Sequence, residues 1–140
     1  MTRGKWAVSP PFTGIVAKDV VAGLLGPRGA QAVARAAVQE AASRGARVRF
    51  LQVTPAPAGS SEENNATFAA ALRALREYPR VPVTFEGAVG DPGQVLVEHT
   101  RDADILVLDA GVPDDVATYC RRHASCDILT VRPTPAACPA

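Results

Sequence analysis

Short apolar segments alternate with segments of helical periodicity along the chain, and this alternation limits the fold more than any other sequence feature. Apolar runs predict five strands, at residues 19–25, 47–53, 82–89, 104–108 and 127–132. Between these runs, apolar residues recur at helical spacing and predict four helices, which begin near residues 30, 61, 92 and 113. Strands and helices in strict alternation with short connections predict a parallel sheet with helices on both faces.

Turn and cap residues mark the ends of the predicted helices. The first helix should stop near Gly45, and Pro79 should close the second. Asp91 is expected to cap the third helix, with Pro92 at its first position. The buried helix faces are predicted to comprise Ala30, Val33, Ala34, Ala37, Val38 and Ala41; Phe68, Ala71, Leu72 and Leu75; Val95, Leu96 and His99; and Val116, Tyr119, Cys120 and His123.

Length and composition favour one globular domain in the cytoplasm. The 140 residues are enough for a single core, and we expect an N-terminal extension at 1–18, an α/β domain at 19–133 and a flexible tail at 134–140. A net charge of +1 argues against binding to nucleic acid or to an anionic membrane. No apolar run approaches the roughly 20 residues that span a bilayer, and no secretory signal is evident.

The cysteines indicate a reducing compartment and no metal. There are three, at Cys120, Cys126 and Cys138, and an odd number suits a disulfide framework poorly. Cys120, His123 and Cys126 have a C-x2-H-x2-C spacing, but a zinc site needs a fourth ligand, and three ligands on one helical turn rarely converge. We therefore predict no metal site and interpret Cys120 and His123 as part of a buried helix face.

Three blocks of sequence resemble the universal stress protein family. They are VGDPGQVLVEHTRDADILVL at residues 89–108, HASCDILTVRP at 123–133, and the weaker VVAGLLGPRGAQAVARAAVQEAASRGARVRFLQV at 20–53. The resemblance implies a doubly wound, Rossmann-like sheet of five parallel strands in the order 3-2-1-4-5, the adenine nucleotide alpha hydrolase-like fold. It also implies a ligand crevice where the strand order reverses, at the carboxyl ends of strands one and four.

The sequence departs from the family pattern at the residues that would hold a nucleotide. Nucleotide-binding members have an aspartate at the end of strand one, where this chain has Leu25, followed by Gly26 and a proline. Their glycine-rich phosphate loop after strand four is replaced by DAGVPDD, in which Gly111 alone remains of the glycine pattern. That segment adds the negative charges of Asp109, Asp114 and Asp115. The glycine that ends strand three is retained as Gly90.

These departures predict a protein that does not bind ATP. By the resemblance, the positions that line the crevice are Leu25, Gly26, Val53, Gly90, Asp109 and Gly111. The leading hypothesis is a non-catalytic stress-response or interaction protein without a cofactor, with an unidentified protein partner. The resemblance implies a homodimer formed through the fifth strand, between Asp127 and Arg132. The alternative is a nucleotide sensor that keeps a residual site for AMP or adenosine, formed by Gly90, Val53 and Gly26.

Three further interpretations remain open at this stage. The glycines of Gly23-x2-Gly26-x2-Gly29 fit turns better than a dinucleotide fingerprint, whose spacing differs. An enzyme is disfavoured because no serine or cysteine nucleophile is evidently placed beside a histidine. Trp6 or Phe12 of the extension is expected to cover the crevice or a dimer contact, since large aromatic side chains are seldom wholly solvated.

Overall fold

The computed structural model describes residues 19–26, 29–54 and 61–132, with the backbone alone at 61–64. Five strands and four helices alternate within these ranges: β1 (Asp19–Leu24), α1 (Ala30–Arg44), β2 (Val48–Thr54), α2 (Ser61–Leu75), β3 (Val83–Val89), α3 (Pro92–His99), β4 (Ala103–Asp109), α4 (Asp114–His123) and β5 (Asp127–Val131). The predicted extension at 1–18 with Trp6 and Phe12, the proline after Gly26, and the tail at 134–140 with Cys138 lie outside the described residues.

The five strands form one sheet in which every neighbouring pair is parallel. The strand order is β3-β2-β1-β4-β5, so β3 and β5 are the edge strands and β1 lies at the centre. β1 pairs with β2 from Val20 opposite Val48, and with β4 from Asp19 opposite Ala103. The predicted fold class and strand order are therefore confirmed. The order reverses between β1 and β4, which places the family's crevice at the carboxyl ends of these two strands.

Helices cover both faces of the sheet and enclose two apolar cores. α1 and α2 pack together on one face, over a core that includes Val38, Val48 and Phe50. α3 and α4 pack together on the other face, over a core that includes Leu96 and Leu106. β1 contributes to both cores, which explains why its sequence is continuously apolar instead of alternating.

Local signals at helix ends place the connections as predicted. The Gln94 N–H donates to Asp91 Oδ2 at 3.1 Å, and Pro92 occupies the first position of α3. Gly45 ends α1 in the left-handed conformation with φ of 67°, which a residue without Cβ adopts without strain. The helix and strand boundaries differ from the predicted ones by a few residues, the largest difference being the end of α2 at Leu75, four residues before Pro79.

Some residues assigned to buried helix faces are exposed. Phe68 and Leu72 of α2 retain 45% and 39% of their accessible surface. Ala71 is buried as predicted and Leu75 is half-buried, and the other buried side chains described in that helix are Thr67, Ala70 and Ala74. The prediction was wrong because α2 packs closely on α1 through its small residues, so its large side chains lie over the edge of the sheet.

Of the two histidines expected on inward helix faces, His123 is exposed and His99 is half-buried. His123 is exposed and its ring centroid lies 4.4 Å from that of half-buried Tyr119, whereas Val116 and Cys120 of the same helix are buried as expected. His99 is half-buried, and its Nδ1 lies 3.5 Å from Glu86 Oε1. An imidazole beside water or a carboxylate avoids the desolvation that full burial would impose.

Candidate functional site

A cleft opens at the point where the strand order reverses. Its volume is about 150 Å³, below the roughly 300–1,000 Å³ typical of small-molecule sites. The walls are the end of β1, the first turns of α1 and the turn that follows β4, and they consist of Gly23, Leu24, Leu25, Gly26, Gly29, Ala30, Val33, Asp109, Gly111, Val112 and Pro113. Apart from glycines and Asp109, these side chains are apolar.

Four of the six residues proposed from the sequence meet in this cleft. Leu25 and Gly26 follow β1, while Asp109 ends β4 and Gly111 lies in the turn after it. They converge because the carboxyl ends of neighbouring parallel strands meet at one edge of the sheet. Leu25 is half-buried and packs against the α3–α4 core, so an apolar side chain stands where the family places a carboxylate.

Asp109 brings a negative charge into the cleft. Its Oδ1 is buried and has no hydrogen-bond partner among the described residues. A Cβ added at Gly29 would lie 2.8 Å from Asp109 Cγ, and one added at Gly111 would lie 3.0 Å from Asp109 Oδ2. The carboxylate is thus held between two glycine backbones, and it fills space that a side chain at either position would occupy.

The carboxylate also lies at the start of α1. Gly29 is the N-cap of this helix, has φ of 75°, and provides no side-chain hydrogen bond to the first turn. The first backbone N–H groups of a helix carry partial positive charge and attract anions, typically phosphates in nucleotide-binding folds. At this helix start the chain places its own carboxylate, Asp109, against Gly29. The contact between Asp109 and Gly29 was not predicted, because it joins residues 80 positions apart through the sheet.

Val53 and Gly90 do not line the cleft. Val53 is 2% exposed in the α3–α4 core, so its side chain offers little surface to a ligand. The Gly90 N–H donates to the Thr54 carbonyl at 3.0 Å and continues the pairing of β2 with β3. Gly90 has φ of 152° and lies where an added Cβ would be 3.3 Å from Val95. Both residues therefore have packing roles, at the neighbouring carboxyl ends of β2 and β3.

Asp114 and Asp115 are exposed in the first turn of α4 and are not part of the cleft lining. Carboxylates in a first turn stabilise a helix through its dipole, and this explains their position. The negative charge inside the cleft is thus contributed by Asp109. Gly23 is likewise structural: a Cβ there would lie 2.8 Å from the side chains of both Leu96 and Leu108, so α3 can approach β1 closely.

The described residues offer few groups for covalent chemistry. Burial raises the pKa of the Cys120 thiol and also that of Cys126, where it outweighs a hydrogen bond with Thr100 that lowers it. Raised values disfavour the thiolate, which is the nucleophilic form. Among residues 19–26, 29–54 and 61–132, no three His, Cys, Asp or Glu side chains are grouped as a metal site. None of the described helices is long and apolar enough to cross a membrane.

Comparisons with known proteins agree on the fold. No family model matches the chain, and no curated protein gives a significant match to its sequence. Among solved structures, universal stress protein UspA from Lactobacillus plantarum is 20% identical, with a TM-score of 0.63, and the match covers 85% of this chain and 100% of that chain. The universal stress protein from Archaeoglobus fulgidus, solved with dAMP, is 21% identical over 84% of this chain and 99% of that one, with a TM-score of 0.67.

A third similar structure is a universal stress protein family protein from Arabidopsis thaliana with AMP bound. It is 16% identical, with a TM-score of 0.61, and the match covers 88% of this chain and 97% of that chain. At such low identities the similarity shows a shared backbone fold, and it does not show that this chain binds the same ligands. The chain has the fold of the universal stress proteins, and this confirms the fold that the sequence resemblance implied.

Proposed function

We propose that this chain is a universal stress protein-like regulatory or interaction protein, without catalytic activity, that does not bind ATP. The observation that carries the proposal is the position of Asp109, whose carboxylate lies in the cleft against Gly29 at the start of α1. A nucleotide phosphate at that helix start would meet the negative charge of Asp109 beside the backbone donors. Leu25 offers no carboxylate to the hydroxyl groups of a ribose.

Coulomb's law indicates how strongly Asp109 would oppose a phosphate. Two unit negative charges about 4 Å apart repel by about 1 kcal/mol in water and by about 4 kcal/mol at an effective dielectric constant near 20. Each phosphate charge at that distance would thus weaken binding by about fivefold in water, and by several hundredfold in the partly buried cleft.

The test is calorimetric titration of magnesium ATP into the protein and into the variants Asp109→Asn and Asp115→Asn. We expect no saturable heat with the unaltered chain. Asp109→Asn removes the charge in the cleft and should leave any ATP binding stronger than in the unaltered chain. Asp115→Asn removes an exposed charge outside the cleft and serves as the matched control. Saturable ATP binding by the unaltered chain would refute the proposal. If Asp109→Asn then bound ATP no more strongly, the role given to Asp109 would be refuted as well.

A residual site for a nucleoside or monophosphate is the second candidate. The retained Gly90 geometry at the ends of β2 and β3, together with the similar structures that hold AMP and dAMP, favours this candidate. Adenosine should then bind more tightly than AMP, and AMP more tightly than ATP, because each added phosphate brings more negative charge towards Asp109. If adenosine, AMP and ATP all give no binding heat, this candidate is excluded and the proposal of an interaction protein remains.

The proposal includes a homodimer through β5. This edge strand is half-buried at Ile128, Leu129 and Val131, and its outer backbone groups are unpaired within the described structure. The Val131 carbonyl accepts from Ala110 beside β4, so by alternation the Thr130 N–H points outward. Thr130→Pro would remove that donor without breaking the β4–β5 pairing. Sedimentation should show a dimer that this substitution converts to a monomer, and a monomer at the outset would refute the dimer.

We also propose a cytoplasmic location. The two cysteines in the described residues, Cys120 and Cys126, are free thiols, which suits a reducing compartment. Fractionation of cells that express the full chain would test the location, and recovery from the culture medium would contradict it.

A further inference from the structure

The large apolar side chains that the structure leaves exposed gather at one edge of the molecule. Phe68 and Leu72 of α2 are 45% and 39% exposed, and Phe85 and Val89 of β3 are 41% and 60% exposed. We call these four residues the β3 edge surface. At the opposite edge of the sheet, no apolar side chain of β5 reaches this level of exposure. The β3 edge surface is thus separate from the cleft and from the proposed β5 contact.

The aromatic rings of this surface are held in place by the core. The Phe68 and Phe85 centroids are 4.8 Å apart, and Phe85 stacks at 5.1 Å on Phe50, which is 1% exposed. Offset and tilted ring contacts at such distances are favourable. A rigid apolar surface loses little conformational entropy when a partner covers it.

A second cleft lies beside the Phe68 and Phe85 rings. It has a volume of about 180 Å³ and is lined by Leu24, Phe50, Gln52, Phe68, Phe85, Glu86 and Gly87. Gly87 leaves the cleft open, because a Cβ added there would meet no heavy atom within 4 Å. The cleft is mainly apolar and has room for one aliphatic side chain.

Next to this cleft, the outer backbone groups of β3 have no partner strand within the described residues. The Pro82 carbonyl accepts from Val48, and the Gly90 N–H donates to Thr54, so even-numbered residues face β2. In a parallel strand the direction alternates with each residue. The N–H and C=O groups that point outward therefore belong to Val83, Phe85, Gly87 and Val89. The strand contains neither lysine nor proline, residues that commonly protect an edge from pairing.

Positive charge flanks one end of the surface. Arg76 is exposed just after the end of α2, four residues beyond Leu72, and the exposed Arg80 precedes β3 by three residues. Neither arginine forms an ion pair within the part of the chain that the structure describes, whereas Glu77 between them is paired with Arg35 at 3.1 Å. An occupant with acidic residues at this end would be electrostatically complementary.

The size of the surface suits a short segment better than a second copy. The four exposed side chains offer roughly 300 Å² of apolar area, taking about 150–200 Å² for each fully exposed side chain. A stable protein–protein interface needs about 800 Å² from each partner. Adding a strand to an open edge gains main-chain hydrogen bonds and does not need so large an area.

We propose that β3 binds an extended segment of a partner protein by strand addition. The segment alternates apolar and polar residues, places one apolar side chain in the cleft above Gly87, and carries acidic residues beside Arg76 and Arg80. This inference does not depend on whether the first cleft binds a nucleotide, so it can be tested separately from the proposed function.

The probe is the acetylated nine-residue peptide Glu-Asp-Val-Thr-Leu-Thr-Val-Asp-Glu, titrated into the full chain and followed by amide NMR. We expect a dissociation constant on the order of 10–100 μM and protection from hydrogen exchange at the outward amides of Val83, Phe85, Gly87 and Val89. A peptide with lysine at all four acidic positions should bind at least about tenfold more weakly.

Two substitutions test the contact directly. Gly87→Val fills the second cleft at a position without positive φ, favours strand structure, and should weaken peptide binding at least about tenfold while the chain remains folded. Arg76→Glu should weaken binding of the acidic peptide and strengthen binding of the lysine peptide. The control Arg121→Glu reverses an exposed charge on α4, on the other side of the sheet, and should change neither.

Three results would overturn the proposal. One is the absence of peptide binding up to millimolar concentration. Another is binding that Gly87→Val leaves unchanged, which would place the peptide elsewhere. The third is a homodimer that Gly87→Val dissociates, which would make a second copy the occupant of the β3 edge surface.

Discussion

Substitution of Gly29 by alanine is expected to destabilise the protein more than a left-handed glycine alone would explain. Gly29 has φ of 75°, and an alanine there costs about 1–2 kcal/mol in backbone strain. In addition, its Cβ would lie 2.8–3.0 Å from three atoms of the Asp109 carboxyl group. Relief of this overlap requires the Asp109 carboxyl group to leave its position, which should cost about 1–3 kcal/mol more.

Gly45 provides a matched control. It also has a left-handed conformation, with φ of 67°, but a Cβ there would meet no heavy atom within 4 Å. Gly45→Ala should therefore cost the backbone strain alone, about 1–2 kcal/mol. Urea unfolding followed by far-ultraviolet circular dichroism measures both losses, provided that the slope of free energy against urea concentration is unchanged.

A double-mutant cycle separates the two contributions at Gly29. In an Asp109→Ala background the steric part should vanish, so Gly29→Ala should cost the same as Gly45→Ala, and the coupling energy should be about 1–3 kcal/mol. Additive effects within about 0.5 kcal/mol would show that Asp109 does not fill the space above Gly29. The proposed exclusion of phosphate by this carboxylate would then lose its structural basis.

Other substitutions test separate parts of the fold. Gly93→Ala should lower the free energy of unfolding by about 1–3 kcal/mol, since the new Cβ would lie 2.9 Å from the Tyr119 ring; an unchanged urea midpoint would contradict this packing. Asp91→Ala should cost about 1 kcal/mol in urea unfolding by removing the cap of α3, whereas Asp91→Asn should cost much less. A hydrogen bond from Arg49 lowers the pKa of Glu86 on folding. The resulting stability is present above about pH 4.3, the unfolded pKa, and disappears as the pH falls through the folded value. The free energy of unfolding of Arg49→Met should therefore fall less than that of the unaltered chain when the pH is lowered from neutral to acidic. Equal decreases would refute the pairing of Arg49 with Glu86.

The sequence identified the class of fold because strand and helix signals in this chain are local. The apolar run of β1, the cap at Asp91 and the left-handed glycine at Gly45 each act within a few residues. Alternation of strands and helices then leaves a parallel sheet as the arrangement that buries every apolar face. The order of the strands was a different matter, since it came from the resemblance to a family and not from periodicity.

The candidate site was predicted in part. The resemblance implied that β1 and β4 are neighbours, and on that basis Leu25, Gly26, Asp109 and Gly111 were expected to lie at one crevice, where the structure places them. Val53 was expected at the crevice, but a residue near the end of a strand can face either side of the sheet, and its side chain enters the α3–α4 core.

Tertiary structure alone decided what surrounds each functional group. Helical spacing grouped Phe68 and Leu72 with the buried residues of α2, but it contains no information on where the sheet ends beneath that helix. In the same way, the sequence showed a negative charge after β4, while the position of that charge against Gly29 depends on the approach of α1 to β4 across the sheet. Local patterns determine which elements form, and contacts between distant residues determine which side chains remain exposed for a partner or a ligand.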